Sequence, residues 1–211
     1  MIHELRTYTL KPNKVADFIK LTGEVGYAIR TRHSKCAGYW TTEVGDLNQV
    51  VHLWEYDDFA HRTAVRTALA KDPDWTIKYL PHARECHRRQ ESTVLIPSDA
   101  WPFTPGDGNG VYELRCYRLH PGKVGEWLAL FGKGLPARAK YSAPVGVWSA
   151  ELGRLNMVYH LWGYADLQAR AEVRKQVMAD AAWGETVKGL NPLMQEMRTK
   201  ILLPTDFSPM R

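Results

Sequence analysis

The feature that most limits what this chain can fold into is an internal duplication. Ile2–Val15 reads IHELRTYTLKPNKV, and Val111–Val124 reads VYELRCYRLHPGKV, with eight of 14 positions identical. A second block, Gly45–Arg62 (GDLNQVVHLWEYDDFAHR), returns as Gly153–Arg170 (GRLNMVYHLWGYADLQAR), with ten of 18 positions identical. Fainter echoes lie between them: Gly38-Tyr39-Trp40 with Gly146-Val147-Trp148, Trp75 with Trp183, and Leu95-Ile96-Pro97 with Leu202-Leu203-Pro204. The offset falls along the chain, from 109 to 108 to 107. Collinear blocks at nearly constant offset mark a tandem repeat, so each half must be one supersecondary unit. The 211 residues divide into a first unit over 1–96, a linker over 97–110, a second unit over 111–204 and a C-terminal tail over 205–211. The linker, PSDAWPFTPGDGNG, has the proline and glycine content of a turn-rich strap.

Within each copy the pattern alternates between period 2 and period 3.6. His3–Leu10 alternates as a strand, and Lys11-Pro12-Asn13 breaks it. Val15, Phe18 and Ile19 follow at helical spacing, as do Val124, Trp127 and Leu128. Gly38–Val44 and Gln49–Tyr56 read as a hairpin around Gly45–Asn48, and Asp58 and Asp166 as acids opening helices. Trp75–Leu80 predicts a further helical turn, and Glu91–Ile96 a closing strand. The order is β-α-β-β-α-β, the ferredoxin-like unit. One such unit leaves a sheet face bare, because both helices pack on the other. Two units bury those faces against each other, which predicts an α+β chain whose halves form an intrachain pseudo-dimeric α/β barrel.

Composition excludes several classes. At 45% hydrophobic residues and a mean hydropathy of −0.39, the chain can form a core without needing metal or disulfides, and no apolar run approaches a membrane span. Cys36, Cys86 and Cys116 are odd in number and read as reduced thiols. The net charge of +5 is spread among acids; its densest cation runs, Arg30–Lys35 and His82–Arg89, read as solvated faces or an anion-attracting rim rather than a nucleic-acid surface. Met1–Arg6 runs straight into strand pattern, from which a cytoplasmic location is expected.

Strand parity gathers the repeated polar residues. Glu4, Arg6 and Tyr8 share one face of the first strand; His52, Trp54 and Tyr56 share one face of the third, its neighbour in the ferredoxin-like order. The second copy repeats them as Glu113, Arg115, Tyr117, His160, Trp162 and Tyr164. As a ligand set, arginine would hold an anionic oxygen, His52, Tyr8, His160 and Tyr117 would move protons, and the tryptophans would stack on a planar group. As structure, Glu4–Arg6 would be an ion pair where the halves meet, the histidines hydrogen-bonded core groups and the tryptophans packing. The first half alone carries His33, Cys36, His82, Cys86 and His87, ligand types that zinc accepts but at no standard spacing, so no metal site is expected.

Glu-Leu-Arg-x-Tyr at 4–8 and 113–117, with His-Leu-Trp-x-Tyr-x-Asp at 52–58 and 160–166, resembles the NIPSNAP family signature. The resemblance covers both halves and implies the dimeric α/β-barrel superfamily, whose relatives include cofactor-free monooxygenases and haem-using enzymes, and which commonly places ligands between sheet and helices. Three functions follow as expectations. The first is binding, with or without transformation, of a small planar or anionic metabolite without a resident cofactor. The others are a cofactor-independent or haem-using oxygenase and a non-catalytic interaction module. A monomer with pseudo-twofold symmetry and a homodimer both satisfy the pattern.

Overall fold

A computed structural model describes residues 1–106 and 108–211; position 107, within the predicted linker, lies outside the described residues. The first copy runs β1 (Ile2–Leu10), α1 (Val15–Leu21), a π turn (Thr22–Gly26), α2 (Tyr27–Thr31), β2 (Lys35–Val44), β3 (Gln49–Tyr56), α3 (Phe59–Lys71), a second π turn (Asp74–Tyr79), α4 (Leu80–Cys86) and β4 (His87–Pro97). The second runs β5 (Val111–Leu119), α5 (Val124–Ala139), β6 (Pro144–Leu152), β7 (Met157–Tyr164), α6 (Leu167–Ala179), α7 (Ala181–Leu190) and β8 (Met194–Pro204). The strands close one barrel in the order β1-β3-β2-β8-β5-β7-β6-β4. Each half contributes the ferredoxin-like order, and the halves join through antiparallel β2–β8 and β4–β6. Closure removes the sheet edges on which another strand could pair.

Local chemistry explains the element ends. The chain turns after β1 and β5 with Asn13 at φ 62° and its counterpart Gly122 at φ 78°, a left-handed conformation that asparagine and glycine tolerate. Asp58 caps α3 by accepting from the His61 amide at 2.7 Å, and Asp166 caps α6 by accepting from Ala169 at 2.7 Å, each worth about 1 kcal/mol.

Alternation along the strands separates two environments. Leu5, Val51, Leu53, Leu114, Leu161 and Leu202 point inward with Trp40, Trp148 and Tyr112 to fill the barrel. Two further apolar clusters lie outside it, one per copy, between sheet and helices. Gly38 and Gly146 sit at register shifts, where an added Cβ would come within 2.0 and 2.4 Å of the Trp40 and Trp148 rings. The Gly-x-Trp triplets are therefore a backbone recess under an indole.

The strap and the tail are the same element in two copies. Ser98 donates its amide to Val147 at 2.8 Å, and Thr205 donates its own to Tyr39 at 3.0 Å. Gly132 faces Ala100 as Gly23 faces Phe207. The tail is accordingly buried, with Ser208 and Met210 inside the fold.

The falling offset also has a structural cause. Val15 and Val124 lie 109 apart, whereas Arg30 and Arg138 lie 108 apart, and the extra first-copy residue is taken up by the Thr22–Gly26 π turn where α5 runs on as uninterrupted α-helix. Trp75 and Trp183 lie 108 apart, His87 and Met194 107 apart; here the Asp74–Tyr79 π turn takes up the residue. A π turn is how an α-helix accommodates a single inserted residue without losing its hydrogen-bond ladder.

Candidate ligand pockets between sheet and helices

All twelve repeated residues face the helices, outside the barrel. Antiparallel pairing sets Arg6 opposite His52 and Glu4 opposite Trp54; the second copy sets Arg115 opposite His160 and Glu113 opposite Trp162. Glu4 and Glu113 are fully buried. Glu4 Oε1 accepts from Arg6 at 2.8 Å, Arg62 at 2.7 Å and Ser92 at 2.6 Å, while Oε2 accepts from the Tyr56 hydroxyl at 3.2 Å. Glu113 Oε1 accepts from Arg170 at 2.6 Å and Thr199 at 3.0 Å, and lies 3.1 Å from Arg115. Its Oε2 is buried without a hydrogen-bond partner among the described residues. The Glu–Arg ion pair is thus real, but it ties strands to α3 and α6 within each copy rather than joining the halves, because parity turns these residues away from the barrel seam.

Burial alone would raise the Glu4 pKa. The hydrogen bond from Arg62, the charge of Arg6 and the bond from Ser92 outweigh it and hold the carboxyl at about 2. Glu113 is lowered as well, with burial opposed by Arg170 and Arg115.

The aromatic residues fix the imidazoles. Trp54 Nε1 donates to His52 Nδ1 at 2.5 Å, and Trp162 Nε1 to His160 Nδ1 at 2.6 Å. An acceptor at Nδ1 requires the proton on Nε2 in the neutral ring. In both rings Nε2 is buried with no partner among the described residues. Burial, reinforced by Arg6 and Arg30 for His52 and by Arg115 and Arg138 for His160, pushes both far below the ordinary histidine pKa. Each is a neutral N–H donor of fixed tautomer. Beside them Arg6 Nε donates to the Tyr8 hydroxyl at 2.7 Å and Arg115 Nη1 to Tyr117 at 2.7 Å. The phenols accept from arginine and keep their own protons to give, and the Tyr117 pKa is raised by burial against the pull of Arg115.

Sequence reading missed three pairs of arginines. Arg30 and Arg138 lie over the Trp54 and Trp162 rings at 4.4 and 4.2 Å and donate to Tyr56 and Tyr164 at 2.7 and 3.2 Å. Arg62 and Arg170 bond the glutamates; Arg66 and Arg174 line the cavities. All three pairs stand 108 apart, so the repeat held the signal: Arg30-x3-Ser34 returns as Arg138-x3-Ser142. Each copy thereby places four guanidiniums around one carboxylate, a surplus of three positive charges.

The rooms differ. The first, lined by Arg6, Tyr8, His52 and Trp54, has a volume of about 60 Å³. The second, lined by Arg115, Tyr117, His160, Trp162 and Tyr164, has about 250 Å³, space for about eight water-sized groups. Its other walls include Trp127, Phe131, Trp183, Val177 and Leu190, with Met178, Met194 and Met197 among them. Met178 and Met197 are more than half exposed, which makes the mouth adaptable. Glu4, Tyr56 and Glu113 stand behind the walls rather than on them.

The first-half histidines and cysteines do not converge. His33 bonds Asp72 at 2.8 Å, Cys36 donates to the Gly38 carbonyl, and His87 packs edge-on against Tyr8. Among the described residues no three of His, Cys, Asp and Glu are grouped to hold a metal, and no helix is long and apolar enough to cross a membrane.

With this geometry in place, comparison with known proteins is decisive on kinship. The NIPSNAP family model matches residues 3–102 and, again, 112–209. The chain belongs to the NIPSNAP family. Mouse Protein NipSnap homolog 3B is 37% identical over 214 residues, 99% of this chain and 85% of that protein. Human Protein NipSnap homolog 3A is 36% identical, across 100% of this chain and 86% of that one. Among solved structures, a putative monooxygenase from Fusobacterium nucleatum superposes with a TM-score of 0.70 over 97% of this chain and 92% of its own, at 9% identity. That likeness shows that the NIPSNAP pair shares a ferredoxin-like fold with proteins of remote sequence.

Proposed function

We propose that this NIPSNAP chain binds a small anionic ligand with a planar apolar body in the cavity between sheet and helices of its second copy. The observation that carries the reading is the set of polar side chains lining an aromatic room of about 250 Å³: Arg115, Tyr117 and His160, whose buried Nε2 has no hydrogen-bond partner among the described residues. Glu113 offsets only one of the four nearby arginines, so the room favours negative charge. Trp127, Phe131 and Trp183 supply stacking faces. In this reading Arg115 holds the anionic oxygen, and Tyr117 and His160 donate to it or to an adjacent oxygen.

The same donors suit chemistry on that ligand. A neutral imidazole N–H and a phenol that both donate to one oxygen stabilise negative charge as it develops. Oxygenation of an enolisable or phenolic ligand is the second reading; turnover undiminished without oxygen removes it.

Benzoate, a single aromatic ring bearing a carboxylate, tests binding. Titration followed by tryptophan fluorescence should saturate, and Arg115→Met should weaken it by at least tenfold. Equal affinity in wild type and Arg115→Met refutes the proposal.

A further inference from the structure

Two equivalent pockets in one chain raise the question of how many ligands it takes. The walls that separate them trace to the two inserted residues. Gly26 and Gly134 are counterparts, each at the close approach of the two helical layers. Against Gly134 lies Thr186, whose Cγ2 would be 2.3 Å from an added Cβ; against Gly26 lies the ring of Tyr79, with Cε2 at 2.2 Å. Tyr79 and Thr186 stand 107 apart, and Tyr79 is the last residue of the second π turn. The first copy thus has a phenol ring where the second has a threonine.

The first π turn completes the closure. It carries Thr22, whose Oγ1 hydrogen-bonds the Tyr79 hydroxyl at 3.0 Å within the fold. Both turns are therefore engaged with each other across the first room. Tyr39, where the second copy has Val147, adds a second ring, stacked on His52 at 4.7 Å and 8°. Val147 puts no such ring beside His160, and the first cavity is the smaller, about 60 Å³ against 250 Å³.

We infer that the chain carries one working ligand site, in the second copy, and that paired one-residue π insertions have closed the first by seating Tyr79 on Gly26 and Thr22. The first copy keeps the Glu-Arg and His-Trp sets as bracing for its helices. The inference rests on the ligand-binding reading of the second cavity, and it names the class of ligand admitted there: a single aromatic ring bearing a carboxylate.

Crystals soaked separately in 4-bromobenzoate and bromobenzene test it, because the anomalous signal of bromine locates each molecule. Wild type should show one bromine per chain with either probe, in the second cavity. Tyr79→Ala should add a second in the first cavity. Bromine at equal occupancy in both wild-type cavities overturns the inference without recourse to any variant. A first cavity that stays empty in correctly folded Tyr79→Ala overturns the role of Tyr79. Bromobenzene in the second cavity alone, with 4-bromobenzoate excluded, retains the closure and refutes the anionic-ligand reading. Neither probe entering overturns both.

Discussion

Replacing Glu4 by glutamine removes one charge and little else. The amide oxygen can keep the bonds from Arg6, Arg62 and Ser92, and the amide nitrogen can donate to the Tyr56 oxygen, so shape and hydrogen bonding survive. What is lost is the anion between two buried or half-buried guanidiniums. A carboxyl at about 2 in the folded chain, against an ordinary 4.5, corresponds to about 3 kcal/mol. The sign follows from the lowered folded pKa. The stabilisation is complete above the unfolded pKa and disappears as pH falls toward the folded one. Wild type should exceed Glu4→Gln by about 3 kcal/mol at pH 7 and by about 1.5 kcal/mol at pH 3. Urea titrations at the two pH values, read by circular dichroism with equal m-values, measure the difference directly. All other titrating groups, Glu113 among them, are common to both proteins and cancel. A gap that is the same at pH 3 and pH 7, or a variant as stable as wild type at pH 7, would refute the reasoning.

Three further outcomes can be checked. Gly38→Ala should lower stability by about 1–3 kcal/mol, because its methyl meets the Trp40 ring at 2.0 Å in a filled barrel; thermal unfolding measures it. Trp162→Phe leaves His160 Nδ1 without its donor, at a cost of about 1–3 kcal/mol, and nitrogen chemical shifts should show His160 losing its single tautomer. Benzoate affinity should be flat between about pH 5.5 and 8.5, since burial keeps His160 neutral from below while Tyr117 and Arg115 are shifted upward; a sigmoid centred near the ordinary histidine pKa would contradict the assignment.

The legible part of the site was the part written on strands. A period of two needs no tertiary information, so Glu4, Arg6 and Tyr8 could be set on one face with His52, Trp54 and Tyr56, and the register confirms the adjacency of the strands that carry them. The helical contributions were not legible in the same way. Arg30 belongs to α2 and Arg62 and Arg66 to α3, helices whose rotation about their axes is set by packing, and a one-residue insertion turns the following helix by about 100°. The offset pattern nevertheless held both insertions in plain view.

Repetition and alternation, which are properties of neighbours along the chain, were enough to determine two ferredoxin-like units, their mutual burial and the polar face of each sheet. The relation between the copies was decided elsewhere. Whether Tyr79 fills a room or leaves it open depends on where a π turn aims its ring, on Gly26 offering no Cβ to stop it, and on Thr22 arriving from another helix to hold its hydroxyl. Those are contacts between residues 53 and 57 positions apart, and in a close-packed interior the rings of Tyr79 and Tyr39 are enough to separate a cavity of about 250 Å³ from one of about 60 Å³.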